Sequence, residues 1–396
     1  MSIEKRSKKS RVALVIETSS IYGRRLLEGV ARYSRANSDW LIVLEQRSLT
    51  DRPPGWLRTW NGDGIISRAT TRRLAEELAA SKVPIVELTD RHGDFGLTHI
   101  WSDDLAIGRM AADHFLERAF CNFAFCGYSR EAWSAQRMQG FQSQVAAKGF
   151  VVATYESPWE ELSIQLMEQE EVRLIDWILS LTKPVAIMCC NDIRGQQLLS
   201  ACLTAEVAVP EQVAVLGVDD DHLLCELCRP TLSSVIPDPE SIGYQAAEIL
   251  DLWMNGTTPE KKEILVPPIG ISLRQSSDIT AIEDPVVVEA MRIIRENACD
   301  GVTVEDVLKQ VQVSRSALER RFRRFVNHSP QIEIRLVQLK RVKQLLAETE
   351  LPLARIASLA GFEHPEYLNV VFKRLTGLTP GDFRKSSRTS LLNRGR

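Results

Sequence analysis

The chain lacks any long hydrophobic run. No apolar stretch among its 396 residues approaches the roughly 20 residues that a membrane-spanning helix needs. A basic segment precedes the apolar run VALVI at residues 12–16, which ends at Glu17. That run is too short for the core of a signal peptide, and it fits a first β-strand. We therefore expect a cytoplasmic protein with no membrane partner.

Cysteine and histidine show no metal-binding pattern. The eight cysteines are scattered, and Cys225 and Cys228 form a lone CxxC with no second pair at zinc spacing. The six histidines do not cluster with cysteines or carboxylates. We expect no metal and no cofactor, with the cysteines acting as small buried hydrophobes in a reducing compartment.

Common catalytic signatures are also missing. The sequence has no P-loop, no GxGxxG after a strand, no GxSxG and no HExxH. These absences argue against an enzyme. One alternative stays open at this point, namely a catalytic amino-terminal domain fused to a regulatory tail.

Charge is distributed unevenly along the chain. Residues 285–396 hold 20 Lys and Arg against 12 Asp and Glu, whereas the whole chain holds 49 against 52. Residues 1–284 therefore hold 29 against 40, which makes the rest of the chain acidic to neutral for its length. A basic tail on an acidic body predicts a polyanionic partner for the tail.

The first two thirds of the chain alternate short apolar runs with helix-length segments. Such alternation predicts a parallel, doubly wound α/β sheet, and there are enough units for two lobes with a cleft between them. The runs predicted as strands buried on both faces are VALVIE (12–17), WLIVLE (40–45), GIIS (64–67), PIVEL (84–88), NFAFCG (122–127), VAIMCC (185–190) and VAVLGV (213–218).

The pattern changes near residue 275. A polar stretch, RQSSDITAIED (274–284), is followed by helical patterns alone. We predict a basic tail at 1–10, a two-lobed domain at 11–275, a linker at 276–284 and an all-α domain at 285–390.

The tail contains an internal duplication with an offset of fifty residues. The positions that recur are Ser314, Leu318, Phe322, Arg323, Arg324, Ser329 and Pro330, matched by His364, Leu368, Phe372, Lys373, Arg374, Thr379 and Pro380. Each copy reads as helix, turn, helix. The first has a capping-box start at Thr303 and Asp306 and a second helix capped by Ser314.

A longer helix is predicted between the two copies. Its apolar stripe is read as Ile332, Leu336, Leu339, Val342 and Leu346, with Arg335 among the solvated residues. In the second copy Gly361 is expected to end the first helix in a left-handed conformation, and Leu375 to face the core. Helix-turn-helix units place the start of their second helix in the major groove, so two units could read successive grooves of double-stranded DNA.

The tail resembles the DNA-binding domain of the AraC family. The residues that carry the resemblance are VSRSALERRFRRF (313–325), IASLAGF (356–362), FKRLTG (372–377) and TPGDFR (379–384). The resemblance implies base-reading residues Ser316, Glu319, Arg320, Pro365, Glu366, Asn369 and Val370, and phosphate-binding residues Arg315, Lys373 and Arg374. Many relatives have Arg where this chain has Val370, which cannot make a bidentate guanine contact.

The body resembles the LacI-type effector domain, which is akin to periplasmic sugar-binding proteins. The matching segments include ETSSIYGRRLLEGV (17–30), DDLAIGRMAADHFLERAF (103–120), VAIMCCNDIRGQQLL (185–199) and VPEQVAVLGVDDD (209–221). LacI-type proteins place their DNA-binding head before this domain, whereas here the DNA-binding motifs follow it. That order is similar to the one in the xylose-operon regulators.

The resemblance implies a sugar site in the cleft. Asp192 and Asp219 would accept hydrogen bonds from the sugar hydroxyl groups, and Arg137 would donate hydrogen bonds to these groups. Ser19 and Tyr22 would lie in the loop after the first strand, which opens onto the cleft. Trp133 would stack on the sugar. SRATT (67–71) matches no sugar-binding pattern, so the sugar itself stays open.

We therefore predict a sugar-responsive transcription regulator, an activator of a xylose or other pentose operon. Its expected partners are operator DNA, D-xylose or a related sugar, RNA polymerase and a second copy of the chain. A regulator of another sugar or metabolite is the alternative.

Overall fold

A computed structural model describes residues 9–89, 96–159, 164–259, 263–279, 282 and 284–385. The chain divides into two compact units, Met1–Thr280 and Ala281–Arg396. Most of the predicted basic tail, part of the predicted linker and the last residues of the predicted helical domain lie outside the described residues. No helix within these ranges combines the length and apolarity needed to cross a bilayer.

The strands of the first unit form two sheets, each of six strands within the described residues. They are β1 (Arg11–Val15), β2 (Leu41–Leu44), β3 (Gly64–Ser67), β4 (Ile85–Glu87), β5 (Thr98–Ser102), β6 (Asn122–Ser129), β7 (Val152–Pro158), β8 (Val185–Cys189), β9 (Val213–Val218), β10 (Ser233–Ile236), β11 (Glu263–Val266) and β12 (Gly270–Ser272). One sheet has the order β11-β5-β4-β3-β1-β2 and is parallel throughout. The other has the order β12-β10-β9-β8-β6-β7, and only β12 runs antiparallel to its neighbour.

Helices connect and cover these strands. They are α1 (Ile21–Asn37), α2 (Arg72–Ala79), α3 (Asp104–Leu116), α4 (Ala132–Ala146), α5 (Ile164–Ser180), α6 (Asp192–Thr204), α7 (His222–Leu227) and α8 (Pro239–Met254). The chain passes between the lobes after β5, after β10 and after β11. Helix α8 consequently returns to the first lobe, where Ile242 and Leu250 share a core with Val12 and Val86. The two-lobed α/β prediction agrees with this architecture.

All seven apolar runs fold as strands, but β2 contradicts the prediction of burial on both faces. Leu41 and Leu44 are 53% and 48% exposed, because β2 is the edge strand of its sheet. Conversely, β5 was not predicted because its THIWS sequence is largely polar, yet every residue in it is buried. Position in the sheet, rather than local composition, decides the burial of both strands.

The cysteines mostly match their predicted role. Six of them are buried, but Cys121 is exposed after α3 and Cys299 is half-buried, so the expectation is wrong for these two.

The backbones of α1 and α8 meet at two glycines. A Cβ at Gly29 would lie 2.0 Å from the Glu240 carbonyl oxygen, and a Cβ at Gly243 would lie 2.0 Å from the Leu26 carbonyl oxygen. Real Cβ atoms do not approach backbone atoms so closely. The absence of side chains at these two positions therefore sets the distance between α1 and α8.

The second unit is helical. Its helices are α9 (Pro285–Asn297), α10 (Val304–Val311), α11 (Arg315–Phe325), α12 (Pro330–Glu348), α13 (Leu353–Leu359) and α14 (Pro365–Thr376). The capping box of Thr303 and Asp306 and the Ser314 cap of α11 are confirmed. Gly361 follows α13 with φ of +73°, as predicted for a left-handed residue.

The predicted apolar stripe of α12 is wrong in its first half. Ile332 and Leu336 are exposed, and the buried face runs instead through Ile334, Gln338 and Val342. The polar residue Gln338 interrupts this buried face, so a search for regularly spaced apolar residues does not find it. The expectation of a solvated Arg335 is also wrong, since its guanidinium packs over aromatic rings of the second helix-turn-helix unit.

Leu375 does not face the core. It is exposed, because the core beneath α14 is formed by Leu368, Val371 and Phe372 and ends before the last turn of the helix.

The predicted domain boundaries stay predictions. Ser276 and Ser277, which fall in the predicted linker, are fully buried against the second lobe. Their hydroxyls contact the carbonyl oxygen of Val215 and the ring of His114.

Gly243→Ala should destabilise the first unit. Alanine favours a helix over glycine by about 1 kcal/mol, but a methyl group at 2.0 Å from the Leu26 oxygen forces α8 away from α1, which costs about 1–3 kcal/mol or more. The midpoint of urea denaturation should therefore fall. Gly55→Ala is the control, since no atom lies within 4 Å of its Cβ position, and it should leave the midpoint unchanged. An unshifted midpoint for Gly243→Ala would contradict the close packing.

Candidate functional site

A cavity of about 200 Å³ lies between the two lobes, where loops following the strands of both sheets meet. Ligands of open α/β sheets bind at this edge. All six residues predicted from sequence to bind the ligand line the cavity: Ser19, Tyr22, Trp133, Arg137, Asp192 and Asp219. That they bind a ligand stays a prediction. Lining residues that the sequence reasoning missed include Arg68, Thr70, Trp101, Ser102, Asp104, Trp159, Asn191 and Asp221.

Arg137 of α4 is buried at the centre of the cavity wall. Its Nε donates to Asp104 Oδ1 at 2.7 Å, and its Nη1 donates to the Cys190 carbonyl oxygen at 2.6 Å. Nη1 also lies 3.7 Å from Asp219 Oδ1. Burial opposes the charge, but the two carboxylates outweigh burial and raise the pKa of Arg137, which stays protonated. The guanidinium thereby fixes three segments of the second lobe.

Asp219 follows β9 with an unusual backbone. Its φ is +111°, and Asp220 after it has φ of +49°. Non-glycine residues in this region cost of order 1–3 kcal/mol each, and such strain clusters at functional sites. Burial raises the pKa of Asp219, while the guanidinium groups of Arg137, Arg68 and Arg25 lower it in part. The carboxylate points among several cations and remains partly accessible from the cavity.

Asp192 is already engaged within the protein. Its Oδ1 accepts from Ser234 Oγ at 2.6 Å, and its Oδ2 accepts from the Asp221 backbone N–H at 2.8 Å. The helix cap at this point is Asn191, whose side chain accepts from the Arg194 N–H. Burial and the neighbouring Asp219 raise the pKa of Asp192. Asp192 therefore orients the loop that carries Asp219 and Asp221, and it has less free capacity for a ligand than its sequence position suggested.

The first lobe contributes a cation that the sequence did not reveal. Arg68 follows β3, forms an ion pair with Glu17, and lies 4.9 Å from the centre of the Tyr22 ring. The Tyr22 hydroxyl is 2.8 Å from Ser102 Oγ, and burial raises the pKa of Tyr22 to about 12, so it stays neutral. Arg68 belongs to the SRATT segment, for which only the fold supplies a role.

Aromatic rings form one wall of the cavity. Trp133 and Trp159 pack edge to face with centroids 5.4 Å apart, and Tyr128 lies 4.9 Å from Trp159. The Trp133 indole N–H donates to Glu131, and its ring lies 5.0 Å from the Arg137 guanidinium. Indole faces suit the C–H surfaces of a sugar ring. Trp159 follows β7, a strand that the sequence analysis did not predict.

The ionisable groups lining the cavity include more acids than bases. The acids are Asp104, Asp192, Asp219 and Asp221, and the bases are Arg68 and Arg137. Both arginines already have carboxylate partners. The site therefore offers hydrogen-bond acceptors and shielded cations, which suits a neutral hydroxylated ligand better than an anion.

A buried carboxyl group forms hydrogen bonds with the loop that carries Arg68. Glu87 at the end of β4 contacts Ser67 Oγ and accepts from the Ala69 N–H at 2.8 Å and from the Leu88 N–H at 3.2 Å. Burial raises the pKa of Glu87 to about 7, although these hydrogen bonds and Arg68 lower it in part. Ala69 and Leu88 both line the cavity, so Glu87 joins two of its loops.

The residues predicted to bind DNA lie on the second helix of each helix-turn-helix unit. On α11, Ser316 and Arg320 are exposed. Arg315 forms ion pairs with Glu305 at 2.6 Å and with Glu319 at 3.3 Å. Exposed ion pairs are worth about 0–1 kcal/mol, so Arg315 can exchange them for a phosphate at little cost.

Helix α14 presents a matching outer face. Glu366, Asn369, Val370 and Lys373 are exposed at helical spacing, and Val370 is 63% exposed. Arg374 is exposed beside them and Pro365 is half-buried at the helix start. An exposed apolar residue at this point suits contact with a thymine methyl group. DNA contact by these residues stays a prediction.

Family comparisons agree with this architecture. Residues 112–277 match a periplasmic binding protein-like domain, residues 307–386 match a helix-turn-helix domain, and residues 11–94 match the XylR N-terminal domain. The fold and its sites thus define a transcription regulator in which a periplasmic-binding-protein-like sensor precedes a DNA-binding unit.

Full-length relatives narrow the family. The chain is 31% identical to the xylose operon regulatory protein of Haemophilus influenzae, over 94% of this chain and 98% of that one. It is 31% identical to the xylose operon regulatory protein of Escherichia coli K12, over 96% and 97%. A solved structure of the xylose-binding transcription activator xylR matches with a TM-score of 0.82 and 30% identity, over 96% of this chain and 99% of that one. The chain belongs to the family of xylose operon regulatory proteins.

These findings confirm the resemblance, the fold class and the class of function predicted from the sequence. The prediction that the chain is not an enzyme is also confirmed, because its relatives are transcription regulators.

Glu87→Gln should change how stability depends on pH. Because the pKa of Glu87 is about 7 when folded and about 4.5 when exposed, its contribution to folding is fully present below about pH 4.5 and is lost as pH rises through 7. The loss approaches about 3 kcal/mol. Relative to the wild type, the variant should therefore gain about 2 kcal/mol in free energy of unfolding between pH 5 and pH 7.5, because part of the loss is already present at pH 5, as measured by urea denaturation.

Glu76→Gln, on the exposed face of α2, is the control for this measurement and should follow the wild-type pH profile. Parallel profiles for the wild type and Glu87→Gln would contradict the raised pKa.

Proposed function

We propose that the chain senses D-xylose, or a closely related neutral pentose, in the cleft of its first unit and activates transcription of a pentose catabolic operon through its second unit. The observation that carries the proposal is the cavity itself. Buried Arg137, strained Asp219 and an indole wall surround a space of about 200 Å³, below the 300–1,000 Å³ typical for drug-sized ligands. The printed names of the relatives support xylose as the first sugar to test.

Polar groups of both lobes are available to one ligand. Tyr22, Ser102 and Arg68 come from the first lobe, and Arg137 and Asp219 come from the second. Hydroxyl groups pair readily with carboxylates, guanidinium groups and phenols. A pentose that contacts both sets is bound best when the lobes are close together, and a ligand shifts an equilibrium only by such a difference in affinity.

One arginine already crosses between the lobes. Arg25 of α1 donates to Glu240 of α8 at 2.6 Å and to the Asp219 carbonyl oxygen at 3.2 Å. The loop after β9 is therefore tied to the first lobe at its strained residue. Movement of the lobes about this point would alter the position of Asp219 in the cavity.

The same loop is tied to the segment by which the sensor continues towards the DNA-binding unit. Arg274 forms ion pairs with Asp220 at 2.8 Å and with Glu226 at 3.1 Å. Two residues later, Ser276 Oγ donates to the Val215 carbonyl oxygen at 2.6 Å. A change in the loop at residues 219–221 would thus reach the start of the connection to the second unit through the half-buried side chain of Arg274.

The DNA-binding half of the proposal uses both helix-turn-helix units. Helices α11 and α14 would enter successive major grooves, with Arg315, Lys373 and Arg374 near phosphates. Paired subunits would bind a two-part operator, and contact with RNA polymerase would account for activation. The homodimer, the polymerase contact and a cytoplasmic location are parts of this proposal.

Asp219→Asn should weaken D-xylose binding. Asparagine tolerates a positive φ, so the backbone is retained while the charged acceptor is lost. A hydrogen bond to a charged group contributes about 1.5–3 kcal/mol, so the dissociation constant from titration calorimetry should rise about 10- to 100-fold. Asp113→Asn, exposed on α3, should bind as the wild type does.

The same titration with other pentoses, hexoses and sugar acids tests the ligand class. Wild-type protein that binds none of the pentoses, or that prefers a sugar acid, would refute the proposed sensor.

Two substitutions should separate base reading from phosphate binding. Arg320→Ala should weaken the free energy of operator binding by about 1–3 kcal/mol and relax the sequence preference at the bases that Arg320 contacts. Lys373→Ala should weaken binding to all duplexes alike. It should also reduce the slope of log affinity against log salt concentration by about 1, the contribution of one phosphate contact. Fluorescence anisotropy over a salt series measures both. Equal losses on specific and random duplex for Arg320→Ala would remove that residue from base reading.

A further inference from the structure

Helix α12 buries a glutamine where its hydrophobic face would otherwise continue. Gln338 is 1% exposed, between Ile334 and Val342 on the same face. Its Nε2 donates to the Ala298 carbonyl oxygen at 2.8 Å and to the Gly361 carbonyl oxygen at 3.0 Å. Its Oε1 accepts from Arg335 Nη1 at 2.7 Å. Both N–H groups of this amide and its oxygen thus have a hydrogen-bond partner in the protein.

The two carbonyl groups belong to distant segments of the helical domain. Ala298 ends α9, which packs against both helices of the first helix-turn-helix unit, and begins the short 3-10 turn that leads to α10. Gly361 follows α13, in the second helix-turn-helix unit. The two backbones also touch directly, since a Cβ at Gly361 would lie 2.5 Å from the Ala298 oxygen and 2.8 Å from the Cys299 oxygen. One side chain therefore joins the turn of the second helix-turn-helix unit to the end of the helix that packs against the first unit.

Arg335 extends this connection to the second reading helix. Its guanidinium lies 5.4 Å from the centre of the Phe362 ring and 5.0 Å from the centre of the Tyr367 ring. Phe362 follows Gly361 in the turn, and Tyr367 lies on α14. A planar guanidinium that stacks on both rings and donates to Gln338 restrains α14 against α12.

We propose that Gln338 and Arg335 are positioning residues that hold the two helix-turn-helix units at one separation and one angle, so that the chain reads two blocks of bases at a single spacing. This inference rests on the proposed DNA-binding function. It adds a determinant of operator geometry that contacts no DNA itself.

The physical reason lies in the directionality of hydrogen bonds. A leucine at position 338 would bury apolar surface without fixing the angle between its neighbours, because hydrophobic contact is non-directional. An amide between two backbone carbonyls holds both in place, and leaving them unpaired costs about 1–3 kcal/mol. One extra base pair displaces the second block by about 3.4 Å and rotates it by about 35°. Two helix-turn-helix units that are held rigidly cannot follow that change.

The test is selection of duplexes from a random-sequence library by the full chain, with and without D-xylose. The distance between the two enriched blocks is then read from the selected sequences. The wild type should select two blocks at one spacing. Gln338→Leu and Arg335→Lys should select the same blocks over several spacings. For these variants the preference for the wild-type spacing over one base pair more should fall by about tenfold, as measured by anisotropy.

Two controls on the same helix separate positioning from charge and from stability. Arg341→Gln removes an exposed charge whose hydrogen bond is to Gln344 of α12, and it should leave the spacing unchanged. Val342→Ala creates a cavity in the same buried face, so it should lower the unfolding temperature while keeping the single spacing.

The outcomes distinguish the two levels of the proposal. A single, unchanged spacing for folded Gln338→Leu and Arg335→Lys would overturn the positioning role alone. A relaxed spacing for Val342→Ala would also overturn it, because general loosening would then explain the effect. A wild type that selects one block only, or none, would refute base reading by two helix-turn-helix units, and this inference with it.

Discussion

The cleft depends on one buried cation. The Arg137 guanidinium brings together Asp104 at the start of α3, the Cys190 carbonyl at the end of β8 and Asp219 after β9. A buried charge is stable only with partners of good geometry, so each of these segments has to be where it is for the others to be satisfied. The indole of Trp133 covers the outer side of the same group. The shape and the polarity of the cavity follow from this arrangement.

Polar contacts of this kind recur wherever two parts of the chain have to be held at a defined distance. Arg25 links the lobes at Asp219, Arg274 links the strained loop to the end of the sensor, and Gln338 links the end of α9 to the turn of the second helix-turn-helix unit. Glycines with no room for a side chain accompany two of the close approaches, at α1 with α8 and at Gly361. Apolar packing supplies the cores, whereas directional contacts set the geometry between them.

The candidate site was predictable in part because parallel sheets place ligand-binding loops at one edge. Asp192, Asp219 and the loop at Ser19 follow apolar strands that are plain in the sequence, and the cavity brings all three together. Arg68 follows the predicted strand GIIS and was open to the same reasoning, whereas Trp159 follows β7, a strand that the sequence did not predict. The engagement of both Asp192 oxygens was likewise invisible, because Ser234 lies more than forty residues away.

The sequence by itself determined the elements whose signals are local. Periodicity, caps and glycine positions specified the helices of the duplicated tail, and continuous apolar runs specified the central strands. Tertiary structure alone decided which faces are buried. The apolar strand β2 lies exposed at a sheet edge, the polar strand β5 is buried, and the core face of α12 contains Gln338 in place of an apolar residue. Burial depends on which residues the fold places around a side chain. Many of these residues are distant in the chain, so the local sequence does not identify them.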